Sequence, residues 1–167
     1  YPIPETQSFK GALFQCRLSS TKSEKLMVWS NKHQVTEYIT LLSLFSVLLS
    51  RLSNQEIVVI GVPIANRNRS ELERMIGFLV SSIPICINLK DAPSFDEIVY
   101  QVRQKLFDGQ THQEIPLERL IDLMEASRKL SYNPLFQVMC ADESLPLFEQ
   151  SADTLLLEPW MKDIVEQ

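Results

Sequence analysis

The stretch NQEIVVIGVPIANRNRSELERMIGFLVSSIPICINL, residues 54–89, decides the fold. Its first part, EIVVIGV at 56–62, is a run of β-branched side chains. A run that is apolar at every position marks a strand covered on both faces, central in its sheet. Gly61 and Pro63 are expected to end it. The second part, GFLVSSIPICINL at 77–89, has a different rhythm. Ile83, Ile85, Ile87 and Leu89 alternate with Pro84, Cys86 and Asn88, so one face of this strand is buried. Pro84 has no amide hydrogen to give a ladder, which favours an edge position or a bulge. Between the strands lie the loop PIANRNR and a short helix through Met75, opened by Ser70 with Glu73 as a capping box.

Helices flank this pair on both sides. Upstream, YITLLSLFSVLL at 38–49 is the most apolar segment of the chain. A bilayer span needs about 20 apolar residues, and Glu37 and Arg51 close this one off sooner. It predicts a deeply buried helix, capped by Thr36 and reaching about Leu52, with a turn at 53–55. Before it, Ser20 or Thr21 caps a helix ending near Asn31, with Glu24 completing a box. GALFQCRL at 11–18 alternates moderately and predicts a strand. Residues 1–10, with Pro2 and Pro4, suit an extended segment arriving from elsewhere. Downstream, Ser94 and Glu97 form a third capping box. Phe95, Ile98, Val99, Val102 and Leu106 follow at helical spacing, and Gly109 is expected to end that helix. Pro116 opens a further helix at its first position, with Leu117, Leu120, Ile121 and Met124 on its apolar face. After the polar stretch 125–133, PLFQVMCA at 134–141 predicts a strand, and LLLEPW at 155–160 is a further candidate. The alternation of helices and strands predicts α/β layers, one sheet with helices against it, in a single domain or lobe.

Composition narrows the function. A hydrophobic fraction of 45% and a charged fraction of 22% are ordinary for a globular protein with a core. The net charge of −5 makes a poor nucleic-acid binder. Arg67, Arg69 and Arg74 are the densest basic cluster, but Glu71 and Glu73 interrupt it, and it reads as a solvated loop. Cys16, Cys86 and Cys140 lack metal-ligand spacing and are odd in number, so they read as reduced, buried thiols of a cytosolic protein. The first ten residues show no basic start followed by an apolar run, so no signal peptide is expected there. No phosphate loop, dinucleotide fingerprint, zinc spacing or Gly-x-Ser-x-Gly elbow occurs. Histidine chemistry therefore falls to His33 or His112. His33, in NKHQV between two helices, reads as a solvated surface residue. His112, in THQEIPLERL at 111–120, lies ahead of a helix N-terminus, whose positive end disfavours a protonated ring. No orienting partner or nucleophile stands beside it in the sequence, so its expected role is structural: bonding loop backbone or the helix start.

Three of these stretches, in this order, resemble the condensation domains of nonribosomal peptide synthetases. Residues 54–89 resemble the family's strand, its Pro-x-Ala-Asn-Arg loop and its Ile-Gly-x-x-Val-Asn-Ser/Thr motif. THQEIPLERL resembles His-Gln-Asp-Val-Pro-Phe-Glu. RKLSYNPLFQVM, 128–139, resembles Arg-Asp-x-Ser-x-Asn-Pro-Leu-Phe-Gln. The likeness runs from about Gln7 to Met139. It implies a chloramphenicol acetyltransferase-like lobe, a mixed sheet packed with helices. In that fold two similar lobes form a V around a tunnel. The implied reaction is amide formation between an upstream carrier-bound acyl or peptidyl thioester and a downstream carrier-bound aminoacyl thioester. The family's His-His-x-x-x-Asp-Gly motif belongs to the first lobe, and no His-His pair occurs here. The resemblance therefore implies that residues 1–167 are the C-terminal lobe alone, truncated at both ends and inactive by itself.

On that resemblance this lobe holds no catalytic residue, no metal and no directly bound cofactor, because substrates arrive on carrier phosphopantetheine. Asn66 and Arg67 match the family's loop and would fix it by hydrogen bonds. Ser81 and Ser82 match the Asn-Ser/Thr pair near the tunnel, with Ser81 in place of the usual asparagine. His112, Gln113 and Asn133 carry the two later motifs. Glu114, Leu117 and Lys129 replace the usual aspartate, phenylalanine and aspartate. The implied partners are the missing N-terminal lobe, upstream and downstream peptidyl carrier proteins, and a second copy through the exposed lobe interface. Nucleic acid and membrane are not among them, and the location is cytoplasmic. Two other readings stay open: a non-catalytic module that docks carrier proteins, and a free-standing coenzyme A-dependent acyltransferase.

Overall fold

The computed structural model describes residues 11–67, 69–124 and 132–142. Strand β1, Ile57–Ile64, runs antiparallel to β2, Ser81–Asn88, in an unbroken register. Val58 faces Ile87, Ile60 faces Ile85 and Val62 faces Ile83. All six side chains are buried, so a ladder of β-branched pairs forms the centre of the core. On its other flank β1 meets the segment around Met139 in a parallel bridge. There the Gly61 amide donates to the Val138 carbonyl at 2.9 Å, and the Cys140 amide donates to the Gly61 carbonyl at 3.0 Å. β1 is therefore flanked on both sides, the pairing is mixed, and β2 with its Pro84 is an edge among the described residues.

Among the described residues five helices accompany the strands: α1 (Ser20–Lys32), α2 (Glu37–Ser53), α3 (Ser70–Glu73), α4 (Phe95–Thr111) and α5 (Leu117–Leu123). α4 packs on β2 and on α2, and buries Ile98, Val99, Val102 and Leu106. Gly109 does not end it. The helix continues to Thr111, and a Cβ added at Gly109 would stand only 2.8 Å from Ile83 Cδ1. The glycine is thus a point of close helix-to-sheet approach. The Ser94 and Glu97 box forms in full.

α2 starts at the expected Thr36 cap, whose hydroxyl accepts from the Ile39 amide at 3.2 Å. It is not buried all round. Thr40, Leu42, Ser43 and Ser46 face the core, while Leu41, Leu44, Leu48 and Leu52 remain exposed. Small hydroxylated residues let the helix lie close to its neighbours. Their polar atoms are satisfied by back-bonding, Ser43 to the Ile39 carbonyl and Ser46 to the Ser43 carbonyl, each at 2.7 Å.

Other expectations are corrected. Residues 11–18 form no strand, and Leu13 and Phe14 are 84% and 89% exposed; among the described residues nothing pairs with them. α1 is N-capped by Ser19 and α3 by Arg69, without side-chain cap bonds, so the boxes at Thr21–Glu24 and Ser70–Glu73 do not form. α1 starts two residues too early for its box and α3 one residue too early. Pro116 is the N-cap of α5 rather than its first residue, and Met124 is exposed. β1 runs through Gly61 and Pro63 to Ile64. The strand expected at 134–141 is reduced to the bridge at Met139, because residues 133–137 are taken up by a turn. The thiols are not buried: Cys16 and Cys86 are exposed and Cys140 is half-buried. Cys86 points to the outer side of β2, as its alternation with the isoleucines requires. The expectations for residues 1–10, 125–131 and 155–160 lie outside the described residues.

Candidate functional site

Asn66, Arg67, Ser81, Ser82 and Gln113 gather at one end of β1. Past Ile64 the chain turns at Asn66, whose φ of 52° is left-handed, a conformation asparagine tolerates better than most residues. Arg67 then reaches over the short helix. Its guanidinium donates to the Leu72 carbonyl and, at 2.8 Å, to the Met75 carbonyl. One nitrogen, Nη1, bonds two carbonyls three residues apart and so fixes the loop between the strands. An open hollow of about 450 Å³ lies beside it, lined by Pro63, Ile64, Ala65, Asn66, Arg67, Gln110 and Gln113. Ser81 and Ser82, both half-buried, pair with Ile64 and Pro63 across the ladder and so border the same end of the sheet.

A second hollow, of about 630 Å³, shares Pro63, Ile64 and Gln110 with the first. Its walls come from the start of α2 (Thr36, Tyr38, Ile39), the end of β1 and one face of α4 (Arg103, Leu106, Phe107, Gln110), with Asp142 at its margin. Together the hollows form an amphipathic cleft across the end of the sheet. Tyr38 anchors the segment after Met139 by donating to the Cys140 carbonyl at 2.8 Å. Burial, reinforced by Cys140 and Asp142, pushes the Tyr38 phenol above its ordinary range, so it stays a hydrogen-bond donor at neutral pH. Burial also raises the Cys140 thiol, which disfavours a thiolate nucleophile. Tyr38, Arg103 and Gln110 carry no motif and were missed from sequence. The usable signal was spacing: 103, 106, 107 and 110 are i, i+3, i+4 and i+7 on one helix face.

His112 and Asn133 play other parts. His112 is the C-cap of α4, with Nδ1 2.9 Å from the Asp108 carbonyl, and its side chain is exposed. It therefore sits at the negative end of α4, and the expectation of a positive helix end acting on it is corrected by this geometry. The Asn133 carboxamide accepts from the Leu135 amide at 2.9 Å and the Phe136 amide at 3.4 Å, and Gln137 Nε2 donates to the Asn133 carbonyl at 3.0 Å. This turn seats Phe136 over Gly61. His33 is not simply solvated: its ring stacks on Trp29 at 3.9 Å, with Nδ1 2.8 Å from the Trp29 carbonyl and Nε2 3.6 Å from Asp96. Among the described residues no cluster of His, Cys, Asp or Glu is placed to hold a metal ion. Nor is any single helix there long and apolar enough to cross a membrane.

The fold is the α/β fold of condensation domains. A four-domain nonribosomal peptide synthetase, holo-AB3403 bound to AMP and glycine, superposes with a TM-score of 0.83 at 30% identity, over 89% of this chain and 11% of that one. The condensation domain family matches residues 1–158, and the chain belongs to it. It is similar to two proteins of the linear gramicidin synthase of Brevibacillus parabrevis, 37% identical to one over 159 residues and 41% identical to the other over 138 residues. These alignments cover 95% and 83% of this chain but only 2% and 3% of the two synthase proteins.

Proposed function

We propose that this chain is the C-terminal lobe of a nonribosomal peptide synthetase condensation domain and forms one wall of its substrate tunnel. The observation that carries the reading is the convergence of Asn66, Arg67 and Gln113 on one hollow, with Ser81 and Ser82 paired to its lining residues. Three separated motifs thus meet beside an amphipathic cleft. In this reading the cleft holds the arm of a carrier-bound thioester. The lobe contributes by proximity, since holding two tethered reactants together replaces a bimolecular encounter. Arg67 keeps the loop in shape and Gln113 and Gln110 offer amides to the arm. Proton transfer belongs to a histidine pair that these 167 residues lack, so the chain alone forms no amide bond. Upstream and downstream carrier proteins and the histidine-bearing lobe are its partners, in the cytoplasm. The lone chain self-associates through apolar side chains such as Ile76 and Phe78, which are 103% and 92% exposed.

His112→Ala in the complete condensation domain tests the division of labour. Amide formation between two loaded carriers is expected to persist. A general base is worth ~10²–10⁴-fold, and a loss of that size, with a shifted pH–rate profile, would overturn the reading.

A further inference from the structure

A groove between α1 and α2 shares no residue with the cleft. We propose that it is a binding site for a long-chain carboxylate. Its volume is about 450 Å³, within the range of small-molecule sites. Leu18, Leu26, Trp29, Leu41, Leu44 and Phe95 make its walls, with Thr40 in its floor. The floor offers no free polar group: the buried Thr40 hydroxyl is 2.7 Å from Ser30 Oγ and bonds the Thr36 carbonyl at 3.3 Å. The two charged residues in its lining are Lys22 and Lys25, three residues apart on the same face of α1. Neither is ion-paired among the described residues. An apolar slot with two exposed lysines in its lining, unpaired among the described residues, complements an amphiphile with an anionic head.

The groove also continues in one direction. Leu44, Leu48 and Leu52 follow Leu41 along the outer face of α2, all at least 42% exposed. From Leu41 to Leu52 the helix rises ~16 Å, so an alkyl tail that starts beside the lysines has a greasy track to follow. Trp29 lies in the wall and reports occupancy by its fluorescence. Lys22 and Lys25 are both exposed, and long cationic side chains at apolar surfaces lay their stems along the surface with their heads in water.

Dodecanoate, dodecanol and dodecyltrimethylammonium, each below its micelle concentration, would be titrated calorimetrically into the full chain. Dodecanoate is expected to bind saturably at one site and to shift the Trp29 emission, a response absent in Trp29→Phe. A charge-assisted contact gives it about a tenfold advantage over the other two. Lys22→Gln with Lys25→Gln should abolish that advantage at an unchanged melting temperature, and Leu44→Gln should weaken all binding. Equal affinity for the cationic and anionic amphiphiles, or binding unmoved by these variants, would overturn the proposal. So would binding of an acidic amphipathic helical peptide but not of dodecanoate, which would make the groove a protein-docking face.

Discussion

Gly61→Ala probes the joint on which the sheet depends. Gly61 bonds the third segment with both its amide and its carbonyl, and the Phe136 ring occupies the space that a side chain at Gly61 would need. A Cβ added there would stand 2.3 Å from Phe136 Cε2, 2.6 Å from Cδ2 and 2.7 Å from Cζ. These are atoms of one rigid ring that is only 5% exposed, so it cannot swing aside. Overpacking of this kind costs ~1–3 kcal/mol. Gly61 does not have positive φ, so alanine would gain ~0.4–1 kcal/mol by stiffening the unfolded chain. The net expectation is a loss of ~1–2 kcal/mol. Urea unfolding followed by circular dichroism measures it, as a lower midpoint with an unchanged m-value. Phe136→Leu should be less harmful in the Gly61→Ala background than in the parent, since the two sites share the clash. A neutral or stabilising Gly61→Ala, or strict additivity of the pair, would refute the packing of residues 136–140 against β1.

Thr36→Ala removes the hydroxyl that caps α2 and should cost about 1 kcal/mol, read as a lower thermal midpoint. Arg67→Ala removes both bonds from Nη1 to the Leu72 and Met75 carbonyls, so amide exchange in 70–76 should accelerate while β1 and β2 stay protected. The Ser94 box holds the Glu97 carboxyl below its ordinary value through hydrogen bonds from the Ser94 hydroxyl and amide. A depressed folded value means the contribution is present above the unfolded value and lost as pH falls through the folded one. The stability gap between the parent and Glu97→Gln should therefore close on acidification, and a gap that widens below pH 4 would contradict the assignment.

How much was legible in the sequence depends on what each signal needs. The β1 and β2 pattern needs only side chains, and their register follows from matching isoleucines and valines. Capping boxes need more. Ser94–Glu97 forms, whereas Thr21–Glu24 and Ser70–Glu73, with the same spacing, do not, because Ser19 and Arg69 already occupy the N-cap positions. Apolar content alone misjudged α2: it does not tell which of Leu42 and Leu44 faces the sheet. His112 was expected near the start of a helix, yet electrically it belongs to the end of the preceding one, since α4 extends two residues beyond Gly109. At the site, Asn66, Arg67 and Gln113 could be read from motifs. Tyr38, Arg103 and Gln110 could not, because they are gathered from elements that meet only in the folded chain.

Reconstitution tests the central claim most directly. The 167-residue chain would be mixed with two carrier proteins loaded as thioesters, alone and with a histidine-bearing lobe from a complete condensation domain, and the carrier-bound product weighed by mass spectrometry. No amide product is expected from the chain alone, and condensed product is expected from the pair. Product from the chain alone, or none from a pair that demonstrably associates, would contradict the assignment of this chain as the non-catalytic wall of the tunnel.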